Sequence, residues 1–208
     1  MIRADWQDGI CTLTINRPDK ANALNREMLL DLAGHVKQAK AAKAIILTGS
    51  GKVFSAGADL DAAKAGLATD GAWEKLSGAI AAAPTLTIAA LNGTVAGGAL
   101  GMVLACDLRI AVPSAKFFYP VMKLGFLPQP SDPLRMSALI GPSRAKMILM
   151  AGQKIDAAKA QEWGLVDQLS SAETLLDEAK SLAADAQSAD FSHVAVIKHM
   201  FGAGIGAQ

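Results

Sequence analysis

The sequence predicts an α/β domain built from repeated strand–strand–helix units, and three observations carry that prediction. Two apolar runs, residues 44–48 and 85–91, read as buried strands rather than half-open ones. Each is followed by a glycine-centred turn: Phe54-Ser55-Ala56-Gly57-Ala58-Asp59-Leu60 after the first, and Val95-Ala96-Gly97-Gly98-Ala99-Leu100 after the second. Each turn then leads into a stretch suited to a helix. That order, repeated along the chain, fits right-handed parallel crossovers.

The elements follow in order. Asp8-Gly9 is a two-residue hairpin signal between strands at 2–6 and 10–15. In the second strand Cys11, Leu13 and Ile15 alternate with Thr12 and Thr14, which predicts one buried and one open face. Asn25 is placed to cap a helix carrying Met28, Leu29, Leu32 and Val36 at helical spacing. Residues 61–83 are alanine-rich and predict a loosely packed, mobile helix or two, anchored by Leu67, Trp73, Leu76 and Ile80 and ended by Pro84. The stretch after Gly97-Gly98 is helical to Cys106, and short strands are expected at 108–112 and 116–119. Helices are expected after Ser131-Asp132-Pro133 up to Gly141, from 143 to 150, and from an Asp156 cap to Trp163-Gly164. Residues 172–186 read as one further helix, with acidic residues near its start. The small residues 202–208 are expected to fray.

Composition narrows the class. At 208 residues the chain suits one domain with a sizeable core. It is 51% hydrophobic and 19% charged, an ordinary globular profile. A net charge of +1 without a dense basic cluster argues against nucleic acid or an anionic membrane as partner. Cys11 and Cys106 are the only cysteines, and His35, His193 and His199 do not cluster with them, so no metal site is expected. Free buried thiols, no leader-like opening and no long apolar stretch predict a cytoplasmic protein.

The glycine turns carry the chemistry. A helix start leaves its first N–H groups without partners, and glycine lets a ligand oxygen approach them closely. If the two turns converge, they could hold one oxyanion between two N–H groups. The competing reading is that such glycines serve packing and turn geometry only.

At these residues the chain resembles the enoyl-CoA hydratase/isomerase (crotonase) superfamily. The resemblance rests on the first turn, on Asn92-Gly93 with Gly97-Gly98, and on Ala105-Cys106-Asp107. Four further stretches are similar to family signatures: Asn16-Arg17-Pro18-Asp19-Lys20-Ala21-Asn22-Ala23-Leu24-Asn25, Ser114-Ala115-Lys116-Phe117, Lys123-Leu124-Gly125-Phe126-Leu127-Pro128, and Ala160-Gln161-Glu162-Trp163-Gly164-Leu165-Val166-Asp167. They stand in one order from about Ile10 to about Asp167. The resemblance implies a single-domain ββα spiral, with a core over 1–170 and a shortened C-terminal helical segment over 171–208. It implies an acyl-CoA substrate, with coenzyme A as part of that substrate and no permanently bound cofactor. It also implies a homotrimer or dimer of trimers, although the chain stops at Gln208, short of the family's last helices.

Carried over residue by residue, the resemblance makes the backbone N–H groups of Ala58 and Gly98 the oxyanion donors. It places Ala21, Ala56, Asp59 and Leu60 along the path of coenzyme A, and makes Lys20 and Lys52 candidates for its phosphates, or else solvated side chains. The family's two hydratase glutamates correspond to Gly101 and Val121, so a two-glutamate hydration mechanism is unavailable here. Some branches carry an aspartate where this chain has Gln129, which can orient a substrate or water but cannot act as a base. Asp132 is the nearest carboxylate, and Asp before Pro is also the pattern of a helix cap followed by an N1 proline. Tyr119, the only tyrosine, is a candidate proton donor or a packed core residue. Asp61 is a weaker candidate, otherwise a solvated helix start. The expected activity is an isomerisation, elimination or hydrolysis of an acyl-CoA, with a non-catalytic CoA-binding protein as the alternative.

Overall fold

The computed structural model describes residues 1–202; of the tail expected to fray, Gly202 ends the last helix and residues 203–208 lie outside the described residues. The chain opens with the hairpin of β1 (Ile2–Gln7) and β2 (Ile10–Ile15). Asp8 and Gly9 both take positive φ, at 51° and 79°, the backbone that a two-residue turn needs to match strand twist. Asn25 caps α1 (Arg26–Gln38) by accepting a hydrogen bond from Met28 N at 2.9 Å. The apolar stripe of α1, from Met28 to Val36, is buried.

Three strand pairs follow, and they organise the molecule. Each pair sends its first strand into one sheet and its second into another. β3 (Ala44–Gly49), β5 (Leu86–Leu91) and β7 (Leu108–Ala111) extend a six-stranded sheet in the order β1-β2-β3-β5-β7-β10, where β10 is Gln168–Leu169. From β2 onward its strands pair in parallel. β4 (Val53–Ser55), β6 (Thr94–Ala96) and β8 (Lys116–Phe118) form a smaller parallel set, with β9 (Ile155–Asp156) antiparallel at its edge. β3 and β5 are buried along almost their whole length, which is why they read as continuous apolar runs.

Helices fill the space after each pair. α2 (Leu60–Lys64), a 3-10 turn and α3 (Ala72–Ala81) follow β4. α4 (Ala99–Leu104) follows β6, and α5 (Val121–Leu124) and α6 (Asp132–Ile140) follow β8. α7 (Pro142–Leu149) packs on α6, and α8 (Ala157–Trp163) is capped by Asp156, which accepts from Lys159 N at 2.8 Å. The chain ends in α9 (Leu175–Leu182), α10 (Ala184–Ser188) and α11 (Phe191–Gly202). No helix among the described residues is long and apolar enough to cross a membrane.

Several expectations are corrected. The region 61–83 is not uniformly loose: Leu67, Trp73, Leu76 and Ile80 are all buried, and α3 packs between α1 and α4. Only its first half, α2 and the turn after it, is largely exposed. Alanine-rich composition hid this, because a few large side chains suffice to seat a short helix. Thr14 is buried and Thr12 half-buried, so β2 lacks the open face its alternation suggested. The helix after Gly97-Gly98 ends at Leu104 rather than Cys106. Residues 172–186 form two helices, because the chain turns at the fully buried Ala183, whose N–H reaches back to Lys180 O. No glycine or proline marks that break. Asp132 lies within α6 and makes no capping hydrogen bond.

Replacing Asn25 by alanine is expected to lower stability by about 1 kcal/mol, read as a lowered urea midpoint at unchanged slope.

Candidate active site

β4, β6 and β8 run side by side in parallel, so the chain leaves all three at the same edge. Three turns therefore stand in a row there: Ala56-Gly57-Ala58, Gly97-Gly98 and Tyr119-Pro120. Adjacent strands lie about 4.8 Å apart, so neighbouring turns touch. Gly57 makes the first contact possible. Its φ is +89°, and a Cβ there would sit 2.7 Å from the Ala96 carbonyl oxygen. Any side chain at 57 would force the two turns apart.

The main chain on either side is pinned. Leu24 N donates to Gly57 O and Asp59 N donates to Leu24 O, both at 2.8 Å. Ala56 N donates to Ala21 O at 3.0 Å, and Gly97 N donates to Phe118 O at 3.0 Å. In extended backbone, successive groups point to opposite sides, so pinning Gly57 and Asp59 to residue 24 turns the Ala58 N–H away from that strand. Among the described residues the N–H groups of Ala58 and Gly98 have no protein acceptor.

Both residues line one cavity of about 360 Å³ at this strand edge. Trp73 forms its wall beside Gly98. Three of its ring atoms lie 3.1 Å from where a Gly98 Cβ would be, and its Nε1–H is held by Leu67 O at 2.8 Å. Leu60, Leu124, Phe126 and Leu127 stand at the mouth with exposed side chains, so it is apolar.

The candidate residues divide. Ala21, Ala56, Ala58, Leu60, Gly98, Tyr119 and Gln129 line this cavity together, whereas Lys20, Lys52, Asp59 and Asp132 do not. Lys20 and Lys52 are exposed, Lys20 directly before the lining residue Ala21. Asp59 is committed elsewhere: it accepts from Arg17 Nη1 at 2.8 Å and caps α2 through Asp61 N and Ala62 N. The Arg17 hydrogen bond holds its carboxyl below the usual range. Asp61 is exposed, with Lys64 at 3.9 Å. Gln129 is anchored, its Nε2 donating to Ala68 O at 3.1 Å. A larger groove of about 790 Å³ lies beside α11, but its charged pair, Lys198 and Asp107, is already joined at 2.7 Å.

Asp132 is where sequence reasoning and structure differ most. Its side chain is fully buried, and Oδ2 accepts the Tyr119 hydroxyl at 3.0 Å. Oδ1 has no partner among the described residues. The carboxylate fits because position 101 is glycine: a Cβ there would lie 2.8 Å from Asp132 Oδ1. The residue before it, Ser131, donates through its N and Oγ to Glu74, at 3.0 and 2.7 Å. Burial pushes the Asp132 carboxyl up from 3.8 to about 7, with the Tyr119 hydrogen bond pulling it down, the Glu74 charge adding to the rise and Arg135 opposing it. Burial first, then the Asp132 charge, raises the Tyr119 phenol well above its ordinary value.

Trp73 and Glu74 were missed as parts of this site, and Gly101 was read only as the absence of an acid or base. Trp73 and Glu74 sit on a helix read only for its core anchors. The absent side chain at 101 was itself the available signal, since a glycine facing another helix leaves room for a group from that helix.

The sequence model of the enoyl-CoA hydratase/isomerase family matches residues 5–207. A probable enoyl-CoA hydratase echA8 of Mycobacterium leprae is 38% identical over 192 residues, covering 88% of this chain and 73% of that one. A 1,2-epoxyphenylacetyl-CoA isomerase of Escherichia coli is 34% identical over 189 residues, covering 85% of this chain and 72% of that one. Among solved structures, an enoyl-CoA hydratase from Bacillus anthracis is similar with a TM-score of 0.91 at 30% identity, covering 100% of this chain and 84% of that one.

The folded protein keeps a proton on Asp132 to higher pH than the unfolded chain, so folding takes up a proton between 3.8 and about 7 and stability falls as pH rises through that window. Asp132→Asn is expected to remove this slope. In thermal melts, wild type and variant should lie closest near pH 4 and diverge in the variant's favour toward pH 8; parallel profiles would contradict a buried, proton-holding Asp132.

Proposed function

Because the chain belongs to the enoyl-CoA hydratase/isomerase family, we propose that it acts on an acyl-CoA thioester in the cavity at the ends of β4, β6 and β8. The thioester carbonyl accepts from the N–H groups of Ala58 and Gly98. When a proton leaves the α-carbon, or a nucleophile adds to the carbonyl, negative charge gathers on that oxygen. Two donors fixed in advance stabilise it without reorganising. The observation that supports this reading is the pair of partnerless N–H groups on two turns held in backbone contact by Gly57.

The reaction is an isomerisation, elimination or hydrolysis rather than simple hydration. Gly101 and Val121 carry no group able to give or take a proton, and water addition needs an acid and a base at the double bond. The apolar mouth suits the pantetheine chain, and Lys20, next to the lining residue Ala21, suits a phosphate farther out. In this reading the protein is a cytoplasmic homotrimer or dimer of trimers. The exposed Met122, Leu124 and Leu127 support a protein contact near the cavity mouth.

A second reading is a CoA-binding protein without catalysis, and the absence of an acid or base at Gly101 and Val121 favours it. Calorimetry with coenzyme A, together with turnover of enoyl-, hydroxyacyl- and aryl-CoA thioesters, separates the two. The enzyme reading expects saturable binding and turnover of at least one thioester. Binding without turnover favours the second reading, and no binding removes both.

Gly98→Pro deletes one donor and is expected to cut turnover about 100-fold or more. Gly98→Ala brings the same Cβ against Trp73 but keeps the N–H, so it isolates the donor from the crowding. Equal rates in the two variants would take Gly98 N out of the mechanism.

A further inference from the structure

We propose that Tyr119 and Asp132 form a two-step proton relay, in which the Tyr119 hydroxyl exchanges a proton with the acyl chain in the cavity and Asp132 takes up the matching proton behind it. The proposal rests on the acyl-CoA reading above. It starts from three placements. Tyr119 lines the cavity that holds Ala58 and Gly98, and its hydroxyl is 3.0 Å from Asp132 Oδ2. Asp132 does not reach the cavity, so it can act there only through the phenol. Its second oxygen is buried and unpartnered among the described residues, in space opened by Gly101. Burying a carboxylate with a free oxygen is costly, and cap formation does not account for it here, since Asp132 caps nothing.

The proton balance closes without a co-reactant. The α-carbon C–H bond breaks and its proton joins the Tyr119 oxygen. The proton formerly on that oxygen passes to Asp132 Oδ2. The C–H electron pair moves into the enolate, whose charge rests on the thioester oxygen. Tyr119 never becomes a free phenolate, which its burial would strongly oppose. The return step reverses each transfer and delivers a proton to the same or another carbon of the acyl chain. Gln129 N, 3.4 Å from the Tyr119 oxygen, helps to hold the phenol in place.

The groups facing Asp132 are Tyr119 from the turn after β8, Glu74 from α3 and Arg135 from its own helix. Glu74 raises and Arg135 lowers the pH at which it gives up its proton, and burial, the largest effect, sets that point at about 7. The ionised carboxylate is the form that accepts, so α-proton removal should speed up as pH rises through about 7 and then level off.

The test is exchange of α-hydrogen for deuterium in butyryl-CoA, followed by mass spectrometry in deuterated buffer from pH 5 to 9, with butyryl-CoA binding measured by calorimetry on the same samples. Wild type is expected to exchange with that pH profile. Tyr119→Phe and Asp132→Asn should each bind the thioester normally and exchange about 100-fold more slowly, and Asp132→Asn should also lose the inflection near pH 7. Gly101→Ala, which crowds Asp132 Oδ1, should shift the inflection while binding persists. Should Asp132→Asn not fold, the wild-type profile and Tyr119→Phe decide the matter. Binding with no exchange in wild type, or with exchange unaffected by Tyr119→Phe, overturns the relay and leaves the acyl-CoA reading standing. Absence of binding by wild type overturns that reading and the relay with it.

Discussion

Three parallel strands that end at one edge impose the constraint on which the candidate site depends. Each of β4, β6 and β8 comes from a different strand pair, and each must turn where its neighbour turns. With strands about 4.8 Å apart, those turns have no room for side chains between them. Gly57 meets that demand with both a positive φ and no Cβ, and the Ala96 carbonyl takes the space. The close approach of these turns follows from main chain meeting main chain.

The site is accordingly backbone first and side chain second. Ala58 and Gly98 line the cavity and, among the described residues, their amides have no protein acceptor, while the groups beside them are bound to Leu24 and to Phe118. Backbone donors do not depend on the side chains of Ala58 and Gly98, and at Gly98 the Trp73 ring already fills the space a Cβ would take. Trp73 closes the cavity against Gly98 and is itself held by Leu67 O, so the wall belongs to the same packed unit as α1, α3 and α4. Around that frame, Tyr119, Gln129 and Asp132 are linked to one another.

Asp132 shows how a glycine on one helix makes room for a side chain from another. Gly101 leaves a hole, and the carboxylate of a different helix occupies it at the expense of hydration. The cost of burying that charge appears as a carboxyl that keeps its proton to about pH 7. A residue that in sequence looks like a routine helix cap is instead a buried carboxyl joined to Tyr119, which lines the cavity.

Sequence alone determined the α/β class, most strand and helix positions, the N-terminal hairpin and the caps at Asn25 and Asp156. These are local matters, governed by apolar periodicity, turn backbone and short side chains reaching the next amides. It also pointed to the two glycine turns and to the absence of an acid or base at positions 101 and 121. It did not mark the break at Ala183 or the burial of Thr14, because neither turn chemistry nor alternation records what packs over an element. The tertiary structure alone decided that the turns at 57 and 97 touch, that Asp59 is taken by Arg17, and that Asp132 faces Tyr119 instead of capping α6. Those outcomes join residues far apart in the chain, and they were settled by steric exclusion and desolvation, which act only once the strands and helices have met.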